Sequence, residues 1–177
     1  MSTPFGDFAA DTSGQFKLPP NIRVGGEPGP VDSAKKDNFR LLVTGGRQFA
    51  GKNFTFRALD LLHAQLQLGT IIEGGATDAY SLSNEWAHRN DVRMLTCPLL
   101  VPTKLQGKRA GHERNAYMLE THKPHAVLVF PGGRGTLNME SLATAAGVPV
   151  MSATRLLADP AGIIAALKSA ISTPTAE

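Results

Sequence analysis

The 177-residue sequence contains one cysteine, Cys97, and only 6% aromatic residues. One cysteine cannot form an internal disulfide, which excludes both a disulfide scaffold and a cysteine-rich zinc site. Few aromatic side chains argue against a single-strand nucleic-acid binder, because such proteins stack bases on aromatic platforms. No apolar run approaches the roughly 20 residues of a membrane-spanning helix. We therefore expect no membrane partner, and a nucleic-acid partner is not favoured.

An excess of charge of one sign is also nearly absent, since the net charge is +3. This balance is compatible with a phosphate-bearing ligand but too weak to indicate nucleic-acid binding. The N-terminus lacks the basic start and apolar core of a secretory signal, so a cytoplasmic location is expected. The histidines show no i, i+4 pair with a supporting acid, so neither a metal nor another cofactor is expected; they are His63, His88, His112, His122 and His125.

Residues 1–38 are rich in proline and glycine and show no sustained periodicity. This composition predicts an extended or disordered N-terminal arm. The arm also carries Phe5, Phe8 and Phe16, and isolated phenylalanines gain little unless they are buried. The alternative is therefore an arm that docks on a neighbouring subunit. The remaining chain is interpreted as one domain over residues 39–172 and a frayed tail over 173–177.

From Phe39 onward, β-type and helical patterns alternate. The patterns predict strands at 39–44, 70–73, 92–96, 126–130 and 148–151, and helices at 54–68, 80–88, 109–121, 137–146 and 160–171. Five strands that alternate with five helices indicate an α/β fold with a doubly wound, five-stranded parallel sheet and helices on both faces. Ligands of such sheets bind beyond the carboxyl ends of the strands.

Glycine pairs follow three of these predicted strands. They are Gly45-Gly46, which precedes Arg47; Gly74-Gly75, which precedes Asp78; and Gly132-Gly133 within Phe130–Thr136. Because the carboxyl ends of parallel strands share one edge of the sheet, the pairs should converge there. Three pairs in register are difficult to explain by turn geometry, and they predict a ligand site.

The Phe130–Thr136 segment reads Phe-Pro-Gly-Gly-Arg-Gly-Thr and has the pattern of a phosphate-binding turn. Gly132, Gly133 and Gly135 permit positive φ angles and let a ligand approach the backbone amides. Thr136 is predicted to cap the next helix, whose N–H groups and dipole favour an anion. Arg134 lies within the same turn.

A basic segment, Lys104–Met118, precedes this turn. It places Arg114 and Asn115 in the first two turns of the third predicted helix. An arginine near a helix N-terminus is unfavourably placed for the helix dipole. We therefore expect Arg114 to face an anion.

Four segments together resemble the YspA/YpsA-related branch of the SLOG superfamily: Leu41–Phe49, Gly74–Ala87, Gly111–Met118 and Phe130–Met139. That superfamily also contains the Lonely Guy (LOG) phosphoribohydrolases and the DprA/Smf DNA-processing proteins. The resemblance spans residues 40–151. It implies a Rossmann-like domain that holds a nucleotide or nucleotide-derived ligand over the glycine turns, and a homo-oligomer, either a dimer or a larger assembly.

Two positions depart from the family pattern. LOG-type enzymes read Pro-Gly-Gly-x-Gly-Thr-x-x-Glu with a catalytic glutamate, but Met139 stands at that position here and Glu140 follows it. One residue is about 100° of helix rotation, so Glu140 is expected to point elsewhere. The branch also reads Gly-Ala-Asp after its second glycine pair, and Asp78 is the displaced candidate. Arg114 and Met118 do match the LOG-type Arg-x-x-x-Met element.

These observations favour a nucleotide-binding module with phosphate on the amides of Gly132–Thr136. Arg114, with Arg47 or Arg134, would supply charge, and Glu73, Asp78 or Asn115 would contact ribose or base. The alternative is an N-glycoside hydrolase acting on a ribosyl nucleotide, with Arg114 and Glu140 as the candidate catalytic residues. This reaction needs a carboxylate, and the other candidate acids are Glu73, Asp78 and Glu113. A DprA-like DNA-processing role is the third hypothesis.

Overall fold

The computed structural model describes residues 39–46, 51–75, 81–97 and 109–172. The predicted N-terminal arm and C-terminal tail lie outside these residues, as do Arg47 and Asp78. The described strands are β1 Phe39–Thr44, β2 Leu68–Glu73, β3 Arg93–Thr96, β4 Ala126–Val129 and β5 Val150–Ser152. The described helices are α1 Lys52–Leu66, α2 Leu82–Arg89, α3 Arg109–His122, α4 Arg134–Ala145, α5 Ala153–Ala158 and α6 Pro160–Ser172.

The strands form one sheet in the order β3-β2-β1-β4-β5, and every neighbouring pair is parallel. The predicted doubly wound, five-stranded sheet is therefore confirmed. The chain moves from β1 outward to β3, then crosses back to β4 beside β1. This reversal of strand order places the topological switch point between the ends of β1 and β4, where ligands bind in open α/β sheets.

Helices cover both faces of the sheet, because buried strand residues alternate between two core clusters. Leu41, Ile71 and Leu128 pack against α1, α2, α5 and α6 on one face. Leu42 and Val127 pack against α3 and α4 on the other face. A helix that connects parallel strands runs antiparallel to them, so its N-terminus lies at the carboxyl edge of the sheet. The N-termini of α3 and α4 are therefore at the predicted site.

The helix boundaries differ from the predicted ones for local reasons. Helix α1 ends at Leu66 rather than at residue 68, because Gln67 adopts a left-handed conformation with φ 52°. Helix α4 begins at Arg134, three residues before the predicted start, and Gly133 is its N-cap. The prediction that Thr136 caps this helix is wrong, because Thr136 lies inside the first turn. Helix α5 was not predicted, since its six residues are too few for a clear periodicity.

None of the helices within the described ranges is long and apolar enough to cross a bilayer.

Candidate functional site

The glycine turns after β1 and β4 meet at the carboxyl edge of the sheet. The Gly46 N–H donates a hydrogen bond to the Pro131 carbonyl at 2.9 Å. A Cβ on Gly46 would lie 3.1 Å from that oxygen, and a Cβ on Gly45 would lie 2.9 Å from the Phe130 Cβ. Glycine at both positions is therefore required for the close approach of the two turns. The structure thus brings together two of the three predicted glycine pairs at the switch point.

Gly132 is a further packing glycine within this turn. A Cβ there would lie 2.1 Å from the Thr136 Oγ1 and 2.8 Å from the Gly46 N. Thr136 is 6% exposed, so its hydroxyl lies beneath the turn rather than at the surface. The close contacts of Gly132 explain its presence without any ligand.

Gly133 and Gly135 differ from these packing glycines. A Cβ at either position would have no heavy atom within 4 Å, and both residues are exposed. Gly132, Gly133 and Gly135 do not use the positive φ angles that glycine permits. Among the described glycines, only Gly75 and Gly147 have positive φ. Packing therefore does not require glycine at 133 or 135, although glycine at 133 is favourable as the N-cap of α4. Their effect is to leave the backbone at the start of α4 uncovered.

The first turn of α4 offers hydrogen-bond donors to the solvent. The Thr136 and Leu137 N–H groups donate to the Gly133 carbonyl at 3.0 and 3.1 Å. The N–H groups of Arg134 and Gly135 precede these and have no intrahelical acceptor available to them. The dipole of α4 adds positive potential at the same place. Arg134 is exposed, and its charge lies beside this turn.

Arg114 extends from α3 onto the turn after β2. Its Nη1 donates to the Gly74 carbonyl at 2.5 Å, and a Cβ on Gly74 would lie 2.6 Å from the Arg114 Cζ. Glycine at position 74 therefore gives the guanidinium room to lie against the backbone. Arg114 is one turn before the buried Met118 on the same stripe of α3, and this directs it toward the carboxyl edge. The structure places Arg114 at the second glycine pair.

Asn115 connects α3 to the first turn of α4. It is 3% exposed, and its Nδ2 donates to the Gly135 carbonyl and to the Asn138 Oδ1, both at 3.0 Å. Both amide protons are thus used within the protein. The geometry makes Asn115 a residue that positions the start of α4 rather than a donor to a ribose or a base.

Glu73 is the last residue of β2 and is only 9% exposed. Its carboxylate accepts a hydrogen bond from the Ser81 hydroxyl, whose oxygen also accepts from the Asn84 N–H at 3.1 Å. Ser81 is the N-cap of α2, so the carboxylate is held at the N-terminus of that helix. Burial raises the pKa of Glu73, while the hydrogen bond from Ser81 acts in the opposite direction.

Cys97 and His122 form a neutral pair beside this edge. The Cys97 Sγ lies 3.2 Å from the His122 Nε2. Burial raises the pKa of the Cys97 thiol, the charge of Arg114 lowers it, and Glu73 raises it. Burial, together with the Arg93 charge, lowers the pKa of His122. Both shifts favour a thiol and a neutral imidazole, which is not the thiolate–imidazolium pair of a cysteine nucleophile.

Glu140 does not join the glycine turns. It lines a cavity of about 410 Å³ beside the edge strand β5, together with Arg155 and apolar residues of α6. Met139, which stands at the position of the LOG-type catalytic glutamate, is fully buried against the sheet. The expectation that Glu140 points elsewhere agrees with this geometry. Glu73, the last residue of β2, is the acid that directly precedes the second glycine pair.

Within the ranges that the structure describes, no group of three or more His, Cys, Asp or Glu side chains could hold a metal ion.

A family model described as "YspA, cpYpsA-related SLOG family" matches residues 39–101. This stretch contains β1, α1, β2, α2 and β3. It includes the first two glycine pairs but not Arg114 or the turn after β4. The resemblance predicted from the sequence is confirmed over these residues. A comparison with curated proteins gave no significant match.

Proposed function

We propose that this protein binds a nucleotide or nucleotide-derived ligand whose phosphate lies at the N-terminus of α4. The match to a SLOG family model supports a nucleotide-related ligand. The observation that carries the proposal is the pair Gly133 and Gly135, which are exposed and have no packing neighbour that excludes a side chain. Gly133 is the N-cap of α4, where glycine is favourable. Gly135 lies inside the helix, where glycine costs about 0.5–1 kcal/mol relative to alanine, so Gly135 needs another explanation.

Close approach of an anion to the backbone supplies that explanation. A phosphate above Gly133–Gly135 would accept from the unsatisfied N–H groups of the first turn and would interact favourably with the helix dipole. Arg134 is exposed beside the turn and can add a charge-assisted hydrogen bond. Arg114 lies at the neighbouring turn, where its guanidinium rests on the Gly74 carbonyl and adds positive charge to the same edge of the sheet.

The hydrolase alternative has less support. Cleavage of an N-glycosidic bond needs a carboxylate beside the anomeric carbon or its attacking water. The LOG-type position holds the buried Met139, and Glu140 lines the cavity at β5 instead. We therefore place ligand binding ahead of hydrolysis, and the binding experiment includes a readout for released base.

The test is calorimetric titration of the full chain with AMP, ribose 5-phosphate, ADP-ribose and cyclic AMP, followed by chromatography of each mixture. Saturable heat with intact ligand supports the proposal. Release of free base would instead establish hydrolysis. The absence of binding heat for all four probes would contradict the proposal.

The variant Gly135→Ala tests whether the phosphate binds at the first turn of α4. Because the added methyl meets no protein atom within 4 Å, we expect stability to be unchanged or raised by up to about 1 kcal/mol. The methyl should obstruct the phosphate and weaken binding at least about tenfold, as loss of a charge-assisted hydrogen bond does. Thr144→Ala is the control, because Thr144 is exposed in the last turn of the same helix, away from its N-terminus. Equal binding by Gly135→Ala and the wild type would place the phosphate elsewhere.

A further inference from the structure

We infer that the β5 edge of the sheet is an interface with a second copy of this chain, in which Glu140 of each copy forms an ion pair with Arg155 of the other. The family resemblance implies a homo-oligomer but assigns no surface to it. The inference does not depend on the ligand, because the residues that carry it lie outside the glycine turns.

Strand β5 lies at the edge of the sheet, with β4 on one side and, among the described strands, none on the other. Val150, its first residue, is 37% exposed. Val150 also lines the β5 cavity, the space of about 410 Å³ that is bordered by residues of α4, α5 and α6. An edge strand with an exposed apolar side chain and a cavity beside it favours association with another chain.

Helix α6 adds an apolar surface to this cavity. Pro160–Ser172 contains one charged residue, Lys168, and its Nζ donates to the Gln65 Oε1 of α1 at 3.2 Å. That charge is therefore directed toward α1. Ala166 and Ala170 line the cavity and are exposed. A surface helix normally carries polar residues on its outer face, so the apolar outer face of α6 indicates a covered surface.

Glu140 and Arg155 place opposite charges on the two sides of the β5 cavity. Glu140 belongs to α4 and Arg155 to α5, and these helices pack on opposite faces of the sheet. Every ion pair in the described part of the chain involves Glu85, so Glu140 and Arg155 do not pair with each other there. The surface is therefore complementary to a partner that carries a cation and an anion at matching positions.

A second copy of the chain meets this condition by symmetry. A two-fold axis parallel to β5 exchanges the two faces of the sheet, so α4 of one copy lies against α5 and α6 of the other. Rotation about this axis keeps each residue at its height along the strand, and Glu140 and Arg155 line the same cavity. An isologous interface uses each contact twice, which gives two Glu140–Arg155 ion pairs around the apolar residues of α6. The apolar contacts supply buried area, and the charges determine the orientation of the copies.

The oligomeric state of the full chain tests the interface. Sedimentation equilibrium of the wild type should give twice the monomer mass of 18.8 kDa. Ala166→Arg adds a long charged side chain at an exposed helix position, so it should leave the fold intact and shift the protein to the monomer. A wild type that remains monomeric at about 100 μM would overturn the inference. A dimer that Ala166→Arg does not weaken would overturn it as well.

Charge reversal tests the pairing of the two residues. Glu140→Arg and Arg155→Glu each bring like charges together in a homodimer, and we expect the dissociation constant to rise at least about tenfold. An equimolar mixture of the two variants should restore the dimer, because both ion pairs then join opposite charges.

Glu120→Arg is the matched control, since it makes the same charge change at an exposed position of α3. We expect it to dimerise like the wild type. Failure of the mixture to recover the dimer, or an equal loss in Glu120→Arg, would show that Glu140 and Arg155 do not pair across the interface.

Discussion

Individual glycines at the carboxyl edge of the sheet have two different causes. Gly46 and Gly132 lack side chains because the β1 and β4 turns pack against each other. Gly133 and Gly135 have open space around them and ordinary negative or extended backbone angles. The sequence does not distinguish these four glycines. Only the residues around them in the folded protein show which glycines are needed for packing and which leave the backbone uncovered.

The raised pKa of Glu73 predicts how the stability of the protein depends on pH. Burial raises its pKa above the usual 4.5, against the smaller opposing effect of Ser81. The protonated carboxyl is favoured by folding, so its stabilising contribution is complete below pH 4.5 and is lost as the pH rises through the raised pKa. We expect Glu73→Gln, which cannot ionise, to gain stability relative to the wild type as the pH increases from 4 to 8.

Urea unfolding of both proteins across this pH range measures the effect. Glu85→Gln should behave in the opposite way, because Lys52 and the nearby Arg89 lower the pKa of Glu85. A stability difference between Glu73→Gln and the wild type that does not vary with pH would show that Glu73 has the same pKa in the folded and unfolded chains.

Among the elements, the first turn of α4 depends on α3. Asn115 is buried in α3 and holds Gly135 and Asn138 through two hydrogen bonds. The sequence placed Asn115 near the site and predicted a ligand contact for it. From the sequence, an asparagine that binds a ligand cannot be distinguished from a buried asparagine that links two helices. The packing of α3 against α4, which includes Met118, directs the Asn115 amide protons to Gly135 and Asn138, and a ligand contact through its Oδ1 stays a prediction.

Asn115→Ala should therefore weaken the site indirectly. We expect a loss of about 1–3 kcal/mol in the free energy of unfolding, because the Gly135 carbonyl loses a buried partner. AMP binding should also weaken as the start of α4 loosens. Urea unfolding and calorimetry measure the two effects. Asn90→Ala is the control, since Asn90 is an exposed residue whose side chain donates a partly buried hydrogen bond to the Trp86 carbonyl, away from α4. Equal losses in both variants would contradict the positioning role.

At the scale of the whole molecule, the core on the α3–α4 face determines which residues of α4 face the sheet and which face other surfaces. Met139 is fully buried in that core, and its neighbour Glu140 lies at the β5 cavity. Restoring the LOG-type residue by Met139→Glu should place an unpaired carboxylate among apolar side chains. We expect a destabilisation of about 3 kcal/mol or more and no release of base from AMP.

Met139→Leu provides the control for this substitution. It conserves volume and polarity, so its cost should stay below about 1.5 kcal/mol. Denaturant unfolding and chromatography of AMP mixtures measure both variants. Base release by a stably folded Met139→Glu protein would show that position 139 can reach the ligand.

The sequence by itself determined the parallel sheet and the edge at which its glycine turns lie. Alternating β-type and helical periods define β1 to β5 and most helices, because period and turn residues are local properties. It also predicted that Glu140 would turn away from the site, since a single residue shifts a helical side chain by about 100°.

Tertiary structure decided the roles of the individual side chains. It moved the start of α4 to Arg134, buried Thr136 beneath Gly132, turned Asn115 into a link between helices, and placed the buried Glu73 against Ser81. These outcomes depend on contacts between residues distant in the chain or on burial at the sheet edge. Local sequence patterns do not contain that information, because the same residue type is a ligand group at an open position and a structural one in the core.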